Sequence, residues 1–226
     1  AAARSDPGEL LCRAGIRIVH EDADLIAIDK PPGLLSVATD GEKADTAFAR
    51  LNAYLAARRA GRPFVVHRLD RETSGLLLFA RSPAVRDRLQ AGWAGVTKTY
   101  LALADGETRP PAGTVRDFLT EGKDLRVRAS AGPRPGAKEA VTHYHVVAAR
   151  AGRSLIEVVL GPGRKHQIRV HLAGLGCPVV GDRVYGPAAT PAGRLLLHAW
   201  RLALDHPAGG RRVELESPPP AALRLR

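Results

Sequence analysis

Residues 67–75 read His67-Arg68-Leu69-Asp70-Arg71-Glu72-Thr73-Ser74-Gly75, the densest run of ionisable and hydroxyl side chains in a chain of 226 residues. A continuous apolar run, Gly75 to Ala80, follows at once and has the character of a buried strand. A polar loop held by such a core can expose a reactive group and still fix its position. Asp70 is the side chain suited to chemistry. The charge of Arg68 and Arg71 favours its ionised form, and an ionised carboxylate serves as a nucleophile or as a base. The same residue would equally serve as a turn or capping carboxylate paired with an arginine. A two-carboxylate hydrolase is a further reading, and it needs a second placed acid, for which Glu72 is the neighbour.

Metal chemistry has little support. His67, His166 and His171 are not joined by a ligand spacing such as H-x-x-x-H, and Cys12 and Cys177 lie far apart. The three histidines read as structural, and His143 and His145 as surface or pairing residues on one strand. Two cysteines also exclude a disulfide framework and fit a reducing, cytoplasmic setting.

The elements that must position Asp70 follow from periodicity and punctuation. Ile16–Val19 and Leu25–Ile28 read as short strands around the acidic turn His20–Asp24, stopped by Pro31-Pro32-Gly33. Ala47, Leu51, Tyr54 and Leu55 recur at helical spacing between Thr46 and Arg59. Phe64–Val66 is a strand leading into the polar loop. Ser82-Pro83 starts a helix running to about Trp93, and Thr97–Ala104 is a strand. Residues 106–138, rich in Gly, Pro and charge, read as surface loops and edge strands. Val141–Ala149 and Ser154–Leu160 form a hairpin turning near Ala151-Gly152. A short helix falls within Arg164–Ala173, and Leu195–Leu204 and Val213–Leu215 are the final strands. The pattern is α+β, dominated by strands and hairpins, with helices packed on them.

Composition narrows the partners. Hydrophobic residues make up 45% of the chain, too many for a disordered tail, and no apolar run reaches the ~18 residues that span a bilayer. Lys and Arg total 34 against 23 Asp and Glu, a net charge of +11 that suggests a polyanion. The excess is concentrated. Residues 50–92 carry nine arginines against Asp70, Glu72 and Asp87, and residues 161–201 carry six cations against Asp182 alone. If the fold joins the two windows, they form one basic wall; as separate segments they read as solvated faces.

Taken together, the motifs resemble those of the RluA-type RNA pseudouridine synthases. The stretch from Phe64 to Leu78 is similar to that family's HRLD-x-x-TSGLLL signature. Ile18–Asp22 through Asp29-Lys30-Pro31-Pro32-Gly33 resembles its N-terminal block, Lys98-Thr99-Tyr100 its K-x-Y block, and Gly163–His171 its GR-x-HQIR-x-H block. Gly181–Gly186 is similar to its GD-x-x-YG block. The resemblance spans about residues 16 to 205. Pro162 and Lys165 depart from it, at positions where Thr, and Ser or Thr, are usual.

The resemblance implies a mixed, mainly antiparallel bent sheet with helices packed on it and a central active-site cleft. It implies isomerisation of uridine in RNA to its C5-glycosidic isomer with no cofactor or metal. Asp70 would act on the flipped-out uridine as nucleophile or as proton acceptor from the ribose. Arg68 would enter the vacated space, Tyr100 would pack on the base and help move the C5 proton, and Arg169 would pair with Asp70. His67, Arg71, Thr73, Arg164, Lys165, His166 and Gln167 would contact the RNA. The implied partner is ribosomal or transfer RNA, not DNA or a membrane, and the implied state is a monomer. The stretch before residue 16 is too short for the S4-type RNA-binding domain of many relatives. We therefore expect an N-terminal extension over 1–15 and one catalytic domain over 16–226. An RNA chaperone that kept the fold but not the turnover is the alternative from the binding class.

Overall fold

The computed structural model describes residue 11 and residues 15–39, 45–187 and 193–225. The expected extension over 1–15 falls, apart from residues 11 and 15, outside them, as does Cys12. Among the described residues, eleven strands and several helices give the α+β fold expected from the sequence. Residues 1–93 with 203–217 form one compact unit, and residues 94–202 with 218–226 form another.

In the first unit, β1 (Arg17–Glu21) and β2 (Leu25–Lys30) pair antiparallel. The turn between them is set by Asp22, whose Oδ1 accepts the N–H groups of Asp24 and Leu25. β4 (Ser74–Ala80) lies antiparallel to β2, from Leu25 opposite Ala80 to Lys30 opposite Gly75, and the short β3 (Phe64–Val65) also pairs with it. Every residue of β4 is buried, which is why its sequence is apolar without alternation. Helix α1 (Ala47–Ala57) begins at Thr46, whose hydroxyl accepts the Ala49 N–H, and buries Ala47, Leu51, Tyr54 and Leu55. Helix α2 (Pro83–Ala91) is capped by Ser82 and buries Val85 and Leu89. A single 3-10 turn, Trp93–Gly95, follows.

The second unit is an antiparallel ladder. β5 (Thr97–Asp105) pairs with β9 (Arg153–Leu160), β9 with β8 (Lys138–Arg150), β8 with β6 (Ala112–Glu121) and β6 with β7 (Val127–Ser130). Ala151 and Gly152 turn the β8–β9 hairpin at φ of +51° and +72°, the geometry whose twist suits a two-residue connection. Helix α3 (Gln167–Gly174) packs Ile168 and Leu172 against Ala102, Ala104, Ile156, Val158 and Leu160 of the sheet. β10 (Leu197–Asp205) begins in this unit, and β11 (Arg212–Glu216), the last strand, belongs to the first.

Two expectations need correction. Within residues 106–138, β6 is a ten-residue strand paired on both edges. Most of its residues are exposed or half-buried on both faces, so no apolar alternation marks it in the sequence. Helix α3 starts three residues later than Arg164, because His166 sits in the left-handed region at φ +54° and a helix cannot propagate through it.

Candidate active site

The loop carrying Asp70 is fixed mainly by side chains from elsewhere in the first unit. Val66 and Leu69 are buried, Asp70 is half-buried, and Arg68, Arg71 and Glu72 are exposed. Ser36 grips Leu69 at both ends: its hydroxyl donates to the Leu69 carbonyl at 2.8 Å and accepts the Leu69 N–H at 3.0 Å. Lys30 is wholly buried beneath the loop. Its ammonium donates to the carbonyls of Pro31 (2.9 Å), Leu34 (2.8 Å) and Arg71 (3.0 Å), three acceptors for three protons. Gly33 N–H reaches the same Arg71 carbonyl at 2.9 Å. Burial pushes Lys30 down to about 8, against the opposing pull of Glu72, Asp70 and Asp29.

Two of the expected RNA contacts in this loop serve the fold. His67 accepts the Leu78 N–H through Nε2 at 3.0 Å and stacks on Trp93, ring centroids 4.6 Å apart. Thr73 is buried, and its N–H closes a turn on the Asp70 carbonyl at 3.2 Å. The outward-facing side chains are therefore Arg68, Arg71 and Glu72, with Asp70 between them.

In the second unit, Tyr100 is half-buried on β5, opposite Val158 of β9. Lys98, two residues earlier, is buried, donates to the Val96 carbonyl at 2.8 Å and is pushed down to about 8 by burial. Arg169 projects from the first turn of α3 into a buried pair with Asp182, Nε to Oδ2 at 2.7 Å and Nη2 to Oδ1 at 2.8 Å. Asp182 Oδ1 also accepts the N–H groups of Val184 and Tyr185 at 2.9 and 3.0 Å. Burial raises the Asp182 carboxyl, but the Arg169 hydrogen bonds and charge together with these N–H groups outweigh it and hold the carboxyl below its ordinary range. The Arg169 guanidinium lies over the Tyr185 ring at 5.2 Å. The Tyr185 hydroxyl takes the Val127 N–H at 2.9 Å and shares a hydrogen bond with His166 Nδ1 at 2.8 Å.

This arrangement explains the residue types of the Gly181–Gly186 block. Gly181 has φ +80°, and a Cβ there would fall 1.9 Å from the Arg194 carbonyl oxygen. A Cβ on Gly186 would fall 2.6 Å from the Asp182 carbonyl oxygen. Only glycine fits at either end of the turn that delivers Asp182 and Tyr185.

The remaining candidates on this segment are held as follows. Gln167 is buried and its amide is spent inside the fold: Oε1 accepts the Arg164 N–H, and Nε2 donates to the Val141 carbonyl and the Thr142 hydroxyl. Arg164 Nε donates to the Glu139 carbonyl at 3.2 Å, and Lys165 forms an ion pair with Glu121. His171 is buried against Thr142, and burial lowers its pKa against the opposing charge of Asp117. Among the described residues no group of His, Cys, Asp and Glu is placed to hold a metal ion. Lys30, Ser36 and Asp182 were not singled out by their sequence positions, although Lys30 and Asp182 lie in quoted motif blocks.

A strand-rich α+β protein with one carboxylate on a clamped polar loop and a buried arginine–carboxylate pair behind a glycine-bounded turn is the class defined so far. The family model for RNA pseudouridylate synthase matches residues 24–174. An uncharacterized RNA pseudouridine synthase of Chloroflexus aurantiacus is 42% identical over 205 residues, covering 87% of this chain and 64% of that protein. A ribosomal large subunit pseudouridine synthase D of Zymomonas mobilis is 32% identical over 226 residues, covering 93% of this chain and 71% of its own length. The chain thus spans about two thirds of these relatives. The solved structure of human RNA pseudouridylate synthase domain containing 4 superposes with a TM-score of 0.77 at 26% identity, covering 96% of this chain and 92% of that one. The chain belongs to the RNA pseudouridylate synthase family.

Proposed function

We propose that this chain converts uridine to pseudouridine in structured RNA, with Asp70 as the catalytic carboxylate. The observation that carries the reading is the Asp70 loop: a half-buried carboxylate between exposed arginines, in a segment inside the family match, on backbone locked by Lys30 and Ser36. A reacting group needs such fixing because its attack geometry tolerates little displacement. Asp70 acts on the flipped uridine as nucleophile or as base towards the ribose. Tyr100 supplies an aromatic face for the base and a phenol for the C5 proton, and Arg169 is the cation that serves the carboxylate. Arg68 enters the space the uridine leaves, with Arg71, Arg164, Lys165 and His166 on the RNA side. His67, Thr73 and Gln167 act from behind, holding the backbone that bears these groups.

Ribosomal RNA is the substrate we favour, since the Zymomonas relative is named for the large subunit, with transfer RNA as the alternative. A monomer acting in the cytoplasm, on neither DNA nor membranes, completes the reading. Among the described residues no helix is long and apolar enough to cross a membrane.

The test is release of tritium from RNA labelled at uridine C5, followed by mapping of the pseudouridines. The parent chain is expected to release tritium from ribosomal RNA and Asp70→Asn to release none while binding the RNA as before. Equal release by the two would remove Asp70 from the chemistry, and no release by either would overturn the isomerase reading.

A further inference from the structure

Helix α1 ends in a turn that carries three exposed arginines, Arg58, Arg59 and Arg62. Its backbone is fully determined. Arg59 N–H returns to the Ala56 carbonyl at 3.0 Å and Ala60 N–H to the Leu55 carbonyl at 2.9 Å, the paired bonds of a left-handed helix stop. Arg59 occupies the left-handed position, φ +55°, where glycine is the favoured residue. Arg81 pins the turn from below, donating to the Ala60 carbonyl at 2.9 Å while it pairs with Glu21.

Two of the three guanidinium groups rest on aromatic rings. Arg58 lies 5.1 Å from the centroid of Tyr54 and donates to its hydroxyl at 2.8 Å, and Arg62 lies 4.8 Å from the centroid of Phe64. A guanidinium held near a ring keeps most of its five N–H donors for a further partner, and their planar fork matches the oxygens of a phosphate. None of the three meets a carboxylate among the described residues. Several other exposed arginines are matched: Arg17 with Asp29, Arg116 with Glu139, Arg128 with Asp124, Arg153 with Asp105 and Arg212 with Asp205.

Cations at a helix C-terminus favour the helix dipole, which accounts for Arg58. That does not account for Arg62, which lies beyond the helix, nor for an arginine where glycine would fit with less strain. The exposed large apolar residues among those described, Leu125 and Val147, lie in the other unit, so no apolar anchor accompanies the cations. A rigid, unmatched set of guanidinium groups without an apolar partner suits a phosphate backbone.

We propose that Arg58, Arg59 and Arg62 form a docking surface for the RNA backbone, separate from the residues that act on the uridine. The surface rests on the RNA-isomerase reading for the identity of its polyanion. It contributes affinity and not the choice of uridine, because phosphate contacts position a nucleic acid without reading its bases.

The test measures binding of a fluorescein-labelled RNA hairpin with a uridine loop, across a salt series, to the parent chain and to the triple variant R58Q/R59Q/R62Q. A thermal melt of each serves as the control for folding. Each phosphate contact contributes roughly 0.7–0.9 to the slope of log affinity against log salt, so the triple variant should lose about 2 from that slope. Its dissociation constant should rise about tenfold at ~0.1 M salt, and lysines at the three positions should restore the slope. A folded variant with the parent's slope and affinity overturns the docking surface and leaves isomerisation untouched. So does a variant that loses binding to phosphatidylserine vesicles but not to the hairpin. A parent that releases no tritium from C5-labelled RNA, with the slope still falling in the variant, overturns the isomerase and keeps the surface.

Discussion

Arg169 and Asp182 meet as two parallel hydrogen bonds of 2.7 and 2.8 Å, with the carboxylate wholly enclosed and the guanidinium nearly so. A planar fork against a planar carboxylate fixes the orientation of both groups, which a lysine could not do. Asp182 therefore decides where the Arg169 side chain points. The two Asp182-bound N–H groups extend that control to the turn bearing Tyr185.

Truncating Asp182 removes two parallel hydrogen bonds from a buried cation. Asp182→Ala is expected to cost roughly 3–5 kcal/mol in urea unfolding. The double change of Arg169→Met with Asp182→Leu should recover most of that stability while ending turnover. A loss below about 1 kcal/mol in the single variant would show that the pair is solvated in solution.

The turn in front of Asp182 should reject any side chain. Gly181→Ala places a methyl against the Arg194 carbonyl at φ +80° and should cost several times as much as Gly152→Ala. Gly152 has φ +72° but open space around it, so alanine there meets only backbone strain, about 1 kcal/mol. Equal melting shifts in the two variants would refute the close approach.

Tyr100 offers a face and a hydroxyl, and the two can be separated. Tyr100→Phe keeps the ring, so KM should stay within about threefold while kcat falls ~10²-fold or more. Tyr100→Ala should raise KM as well. A Phe variant with parental kcat would exclude the phenol from proton transfer.

Lys30 sets a pH dependence. Its folded value of about 8 lies below the ordinary 10.5, so between these pH values the folded chain binds fewer protons than the unfolded one. The cost of burying the ammonium is therefore full below pH 8 and is lifted as pH rises through 8 towards 10.5. Measured against Lys30→Met, the parent should gain up to about 3 kcal/mol of relative stability across that window. Lys98 shifts the same way but is common to both proteins. Urea unfolding at about pH 7 and about pH 10.5 that shows a constant difference would contradict the buried, charged lysine.

Much of this scaffold is legible in the sequence because the burial is one-sided or complete. The all-apolar β4 run, the Thr46 and Ser82-Pro83 helix starts and the Ala151-Gly152 turn each announce their structure locally. β6 does not, since both of its faces are largely solvated. Lys30 and Asp182 escape for the opposite reason. A charged residue reads as surface, and only the folded chain shows each one enclosed, with Arg71 brought to Lys30 and Arg169 to Asp182. The charge count is redrawn accordingly. In the 161–201 window Arg169 is paired with Asp182 and Lys165 with Glu121, which lies outside the window. Arg58, Arg59 and Arg62 of the 50–92 window, exposed and without a carboxylate partner among the described residues, contribute to the surface charge.

Ser36 holds Leu69 across 33 residues of chain, and Lys30 holds Arg71 across 41. The loop they hold looks like a surface connection, yet its amide groups should exchange with solvent as slowly as those of the strands. Breaking the Leu69 or Arg71 anchors leaves Ser36 or the buried Lys30 ammonium short of a partner, which raises the cost of opening the loop. Such a loop is unsuited to closing over a substrate. On the role proposed for Asp70, the uridine would come to a carboxylate already in place, and the conformational change of the reaction would fall to the RNA.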